Sequence, residues 1–234
     1  MIGFDRPLRP RWIYETLLMA EPGQRLSKLN GPFEEVAREL TGKEGKRKVR
    51  TVLFRYFLRD PYCRTRAREM LPLKDLSVER GFDFMIPIYL FYLVGASATL
   101  YRITGHLFRL YGYGKPVNAA FLQQKMAGKL GDRDVVNRSV RSFLKTLEYF
   151  GLIHLEGGKM LLRQPLPVEE EQLCFMLQLY ARDILQTPQI SLRQLRLPLF
   201  KFFALPDPRD VAQNYSGCYW DYQHRLREDF LVVY

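Results

Sequence analysis

The amino-acid sequence predicts a mostly α-helical protein. It has a helical N-terminal region, a central winged helix-turn-helix with a small β-hairpin wing, and a helical C-terminal region ending in residues of strand composition. Three observations predict this fold. Apolar residues recur at helical spacing along most of the chain. The stretch Leu100–Gln164 reads helix, helix, helix, hairpin. The third of those helices sets a basic stripe opposite an apolar face. The expected segments are 1–81, 82–164 and 165–234.

In the first segment, Arg9–Met19 forms a helix holding Trp12, Ile13 and Leu17, and Glu21-Pro22-Gly23 stops it. Gly31-Pro32 opens a second helix with Phe33, Val36, Ala37 and Leu40 inward; proline suits a first helical position. Lys46–Arg59 is a third, with Val49, Val52, Leu53, Tyr56 and Phe57 inward. Its outer face carries Lys48, Thr51, Arg55 and Arg59. Asp60 is expected to cap a further helix that starts at Pro61, adds Arg64, Arg66 and Arg68, and stops at Pro72. Between Lys43 and Arg68 ten basic residues stand against Glu44 and Asp60. This is the densest positive charge in the chain. Lys46, Arg47, Lys48, Arg55 and Arg59 are its candidate phosphate contacts, although a solvated helical surface has the same composition.

The second segment opens with Phe84–Tyr101, which is uncharged and hydrophobic for 18 residues. Pro87 and the mild run Gly95-Ala96-Ser97-Ala98-Thr99 argue against a membrane span, and Ser97 reads as a break between two core helices. Leu100, Ile103, Thr104, Leu107, Phe108 and Tyr111 then share one helical face. Asn118 caps the next helix, with Leu122, Met126 and Leu130 inside and Lys125 and Lys129 outside. Gly131 breaks it, and Asp132 is the expected N-cap of the third helix. Val136, Val140, Phe143, Leu144, Leu147 and Phe150 line that helix's inner face, and Gly151 ends it in the manner of a C′ glycine.

The opposite face of the third helix holds Arg133, Asn137, Arg138, Arg141 and Lys145. Arginine and asparagine are shaped for bidentate hydrogen bonds to guanine and adenine edges. A recognition helix reads bases with its N-terminal residues, so Arg133, Asn137 and Arg138 are the candidate base readers. Arg141 and Lys145 are candidate phosphate contacts, which position without specifying. The wing follows: Ile153–Glu156 and Lys159–Leu162 flank Gly157-Gly158, a pair suited to a type I′ turn. That register pairs Ile153 with Leu162 and Leu155 with Met160 on one face, which is expected to lie on the third helix. Lys159 and Arg163 stay within reach of a nucleic-acid backbone.

The third segment begins after Pro165-Leu166-Pro167. Glu169, Glu170 and Glu171 load a helix N-terminus, where the dipole favours acids, and Leu173, Met176, Leu177, Tyr180 and Ile184 face inward. Asp207 before Pro208 reads as an N-cap. The end of the chain is rich in aromatics, among them Tyr219, Trp220, Tyr222, Phe230 and Tyr234. These serve either as core or as a surface for protein partners, where such residues are enriched.

Charge separates the segments. The net +11 divides into +7 for residues 1–81, +6 for 82–164 and −2 for 165–234. A basic body attracts phosphate by releasing counterions, and an acidic protein or an anionic membrane by the same field. Cys63, Cys174 and Cys218 are few and far apart, so a reducing cytoplasm is expected rather than a disulfide framework. The N-terminal stretch has Arg6, Arg9 and Arg11 but no apolar h-region or small-residue cleavage site, so export is not expected. No cofactor is expected: the spacing of histidines and cysteines offers no zinc site, and Gly42-Lys43-Glu44-Gly45-Lys46 lacks the spacing of a phosphate loop. The carboxylates are scattered rather than clustered for metal-assisted catalysis.

The basic helix Lys43–Arg59 and the stretch Arg141-Ser142-Phe143-Leu144-Lys145-Thr146-Leu147-Glu148-Tyr149-Phe150-Gly151-Leu152-Ile153 resemble the BrxA-type proteins of bacterial BREX phage-defence systems. The resemblance covers about half the chain at the level of pattern. It implies a small, non-enzymatic protein that binds double-stranded DNA and is encoded with defence genes. The residues themselves lead to the double-stranded-DNA-binding part of that expectation, with two alternatives. One is a scaffold or adaptor in a multiprotein complex, using the basic body and the aromatic C-terminus for protein contacts. The other is a helical protein binding RNA or an anionic membrane.

Overall fold

The first helix of the chain runs ten residues from a proline, a residue suited to a first helical position. The computed structural model describes residues 3–131, 134–225 and 228–234. In chain order the elements are α1 (Pro10–Met19), α2 (Phe33–Val36), α3 (Lys43–Phe57), α4 (Pro72–Gly95), α5 (Ala98–Leu110), β1 (Pro116–Val117), α6 (Ala119–Leu130) and α7 (Asp134–Tyr149). There follow β2 (Ile153–Glu156), β3 (Lys159–Leu162), β4 (Leu166–Pro167), α8 (Glu170–Leu179), β5 (Gln189–Ser191), β6 (Phe203–Ala204), α9 (Pro208–Asn214), β7 (Trp220–Arg225) and β8 (Glu228–Val233). The protein is mostly helical with small sheets.

The chain divides into two compact units, one of residues 1–86 with 118–153 and one of 87–117 with 154–234. Within the first unit α6 packs on α7, and within the second α5 packs against the turn Pro198–Phe202.

In the first unit, α1 buries Trp12, Ile13 and Leu17, α3 buries Val49, Val52, Leu53, Tyr56 and Phe57, and α7 buries Val136, Val140, Phe143, Leu144 and Leu147. These are the faces that helical periodicity predicts. The extended segment before α1 adds a feature with no periodic signal. Phe4 and Leu8 are fully buried. The Phe4 amide donates to Ser139 Oγ at 2.9 Å and the Leu8 amide to Thr146 Oγ1 at 3.0 Å. The Phe4 ring tilts against Tyr56 of α3 at 6.0 Å. The segment therefore touches both α3 and α7. Gly3 permits the approach, because a Cβ there would stand 2.2 Å from Val135 Cγ2.

The helix expected from Pro61 is absent. Asp60 Oδ1 accepts the amides of both Tyr62 and Cys63 at 2.7 Å, closing a turn rather than starting a helix. Beyond it the chain runs extended, with Arg66 bridging Arg25 and Ala67 bridging Arg59. The competition between turn and N-cap is inherent to aspartate, and the long-range bridges decide it.

In the second unit, Ile88–Val94 at the end of α4 is almost wholly buried. Ser97 breaks the run as predicted, and its hydroxyl accepts the Leu100 amide at the start of α5. Among the described residues no single helix is long and apolar enough to cross a membrane. The ring of Phe91 packs with Tyr180, Phe200 and Phe203, and Phe108 of α5 meets Phe202 at 4.9 Å. Asp207 caps α9, accepting the amides of Arg209 and Asp210.

The C-terminal region carries more strand than its sequence predicts. β5, β8 and β7 form an antiparallel sheet in that order, with Trp220 opposite Val233 and Ile190 opposite Leu231. Trp220 is fully buried and its indole donates to Ala212 O at 2.9 Å, so this aromatic belongs to the core.

Candidate nucleic-acid interface

α7 is built as an amphipathic helix by its own spacing. It packs against α6, whose start is fixed by Asn118: its side chain accepts the Phe121 amide at 2.9 Å. Leu122 and Met126 of α6 are fully buried, while Lys125 and Lys129 are exposed. The Lys125 ammonium lies 5.0 Å from the centre of the Phe121 ring. The expected N-cap Asp132 and base reader Arg133 lie outside the described residues, as does the side chain of Leu130.

The outward face of α7 is narrower than its sequence implies. Ser139, Ser142 and Thr146 are buried along with the apolar residues. Arg138 and Arg141 are exposed, and Asn137 and Lys145 are half-buried. The cations also differ in partnership. Arg138 Nη2 lies 2.6 Å from Asp134 Oδ2, one helical turn before it. Lys145 Nζ lies 2.6 Å from Glu148 Oε1 and 5.2 Å from the centre of the Tyr149 ring. Arg141 has no ion pair among the described residues. The Asn137 carbonyl accepts from Gln123 Nε2 of α6 at 3.1 Å, which ties the two helices together. Asp134 and Glu148 were not singled out in the sequence. Their signal was the i,i+4 and i,i+3 spacing to a cation.

The basic helix α3 is in the same unit, but its cations are in part occupied by the protein itself. Lys46 Nζ donates to Glu34 O at 3.1 Å and lies 3.4 Å from Glu34 Oε2. Arg47 makes a two-point contact with Glu44, at 3.1 and 2.8 Å. Lys48 is half-buried. Arg55 Nη1 donates to Gly3 O at 3.1 Å, and Arg59 follows the end of the helix beside the bridge to Ala67. The structure thus places Lys46 and Arg55 as tethers of α2 and of the N-terminal segment.

The hairpin belongs with the second unit. Gly157 and Gly158 have φ of 53° and 76°, the pair of positive values that a type I′ turn requires. β1, β3 and β2 are neighbours in that order, with Pro116 opposite Leu161 and Val117 opposite Met160. Lys159 and Arg163 are exposed, as expected. Leu155 is not covered: it is 52% exposed. Ile153 and Leu162 are buried and Met160 is half-buried.

Charge is concentrated in the first unit. It carries 24 Lys+Arg against 15 Asp+Glu, net +9, while the second carries 12 against 10. No protein family, curated protein or solved structure matches this chain.

Proposed function

We propose that the protein binds double-stranded DNA without catalysing a reaction on it, as the resemblance to BrxA-type phage-defence proteins implies. In this reading α6 and α7 are the helix-turn-helix of a winged helix, with α7 entering the major groove. The observation that carries it is on α7. Its whole apolar face and its three small hydroxyl residues are buried, which leaves Arg138 and Arg141 as its exposed cations. Lys125 and Lys129 are exposed on the helix packed against it. The chain order helix, strand, helix, helix, strand, strand from α5 to β3, and the sheet order β1-β3-β2, support the winged-helix part of the reading.

The net +9 of the first unit supports a phosphate-seeking surface, since clustered cations gain affinity by releasing DNA counterions. Arg138 and Asn137 are the candidate base readers among the described residues, and Arg141 and Lys145 the phosphate contacts. The test is a salt-titrated duplex-binding measurement. Log K should fall linearly against log salt, with a slope of about −0.9 for each phosphate contacted. A folded protein that shows no duplex binding at low salt rules the reading out.

A further inference from the structure

In the first unit, a cleft of 670 Å³ opens where the end of α3 meets the extended pieces around Arg25 and Arg66. Five of its lining residues are arginines: Arg25, Arg50, Arg59, Arg64 and Arg66. None is acidic. The buried ring of Phe54 lines it too, and the other lining side chains are neutral.

The backbone forces this convergence. Arg25 and Arg66 stand opposite each other in an antiparallel bridge. The flanking bonds run from the Leu26 amide to Thr65 O and from the Ala67 amide to Gln24 O, each 2.9 Å. That places the two arginines in the narrow pair of the ladder, whose side chains approach most closely. Like charges so opposed are destabilising. Arg59 adds a third charge with its Nε buried and without a hydrogen-bond partner. Burial and the neighbouring Arg55 and Arg64 hold its pKa below the usual arginine value.

The protein supplies little to offset this charge. Among the described residues, Arg25, Arg59, Arg64 and Arg66 make no ion pair, and Arg50 reaches Glu34 only at 4.0 Å. The nearest acid in sequence, Asp60, is engaged by the amides of Tyr62 and Cys63. A fold that holds five guanidinium groups around one cleft is complementary to a dense anion. Arginine forks match the oxygens of phosphate in particular. The cleft is within the range of small-ligand sites, roughly 300–1,000 Å³, and larger than one phosphate needs.

We propose that this cleft is a binding site for a ligand bearing clustered phosphate groups, distinct from the duplex-binding face of α7. Two sources share that chemistry: a free polyphosphorylated small molecule, and the terminal phosphate of a nucleic-acid strand.

The experiment is calorimetric titration of the full chain with inorganic tripolyphosphate at about 0.15 M salt. Binding with one site per chain is expected, weakened about tenfold or more in the double variants R59Q/R66Q and R25Q/R64Q. The pair R138Q/R141Q on α7 should bind tripolyphosphate as the parent does. If R59Q/R66Q loses its circular-dichroism signal, R25Q/R64Q decides, because both side chains are exposed at the rim. Absence of binding, undiminished binding in R25Q/R64Q, or an equal loss in R138Q/R141Q overturns the proposal. A second arm identifies the source. A duplex with 5′-phosphates that outcompetes its 5′-hydroxyl twin, with the preference lost in R25Q/R64Q, assigns the cleft to strand ends. Equal binding of the two duplexes, with tripolyphosphate still bound, assigns it to a free ligand. Failure of the α7 variants to affect DNA would sink the duplex reading and leave this one standing.

Discussion

The Leu8 amide donates to the hydroxyl of Thr146 across 138 residues of sequence, and that hydroxyl in turn donates to Ser142 O at 2.8 Å. Both residues are fully buried. Thr146→Val keeps the side-chain shape and leaves the Leu8 N–H without an acceptor. A buried donor so stranded costs about 1–3 kcal/mol. Chemical denaturation should show a loss of that size. A change within error would mean that water or a shifted backbone replaces the bond.

Arg141 and Arg138 should separate on DNA. Arg141, without an internal ion pair, should weaken specific and scrambled duplexes alike when changed to alanine. Arg138→Ala should cost a preferred site about 1–3 kcal/mol more than a scrambled one if its guanidinium reads a base. Asp134→Asn should strengthen binding to both, by releasing Arg138 from its partner. Fluorescence anisotropy on the two duplexes measures all three. Identical losses for Arg138→Ala on both would mean that the helix grips DNA without reading it.

How much of this helix the sequence reveals is instructive. Its apolar face follows from periodicity alone, and every predicted core position on it is buried. Ser139, Ser142 and Thr146 escaped, because a small hydroxyl residue reads as polar surface. The hydroxyls of Ser139 and Thr146 bond backbone amides and carbonyls, and those amides, of Phe4 and Leu8, lie more than 130 residues away. The same blindness applies to the cleft. Arg66 was placed on a helix by the apparent N-cap at Asp60, and only the bridge to Arg25 reveals where it stands. β7 was missed because its burial is concentrated at Trp220, with little alternation after it.

Acid should expose the network around Asp229. Hydrogen bonds from the Tyr222 hydroxyl and His224, with the Arg209 guanidinium beside them, hold its carboxyl down at about 2 from an ordinary 3.8. A lowered pKa means that the folded state binds the proton less readily than the unfolded chain. The stabilisation is therefore fully present above pH 3.8 and lost as pH falls toward 2. Asp229→Asn should lower the melting temperature at neutral pH and flatten its decline across that window. A parallel decline in parent and variant would assign the acid sensitivity elsewhere.

Cys218 and Cys174 should differ sharply in reactivity. Burial, with Glu170 and Glu171 adding repulsion, pushes the Cys174 thiol up to about 12, while Cys218 is exposed. At mildly alkaline pH an alkylating reagent should modify Cys218 readily and Cys174 only after unfolding, because the thiolate is the reactive form. Peptide mass mapping reads this directly. Early labelling of Cys174 would show that α8 opens locally.

The first unit is assembled from two stretches of chain, and its N-terminal strand of bonds waits on residues that are made late. The amide of Phe4 has no Ser139 to bond until 135 more residues have been added. At roughly 5–20 residues per second, the ribosome needs roughly 7–27 s to supply it. Throughout that interval the Phe4 and Leu8 amides lack the Ser139 and Thr146 hydroxyls that accept them in the finished fold. The first residues made are thus among the last to be fixed, because their acceptors arrive only with α7.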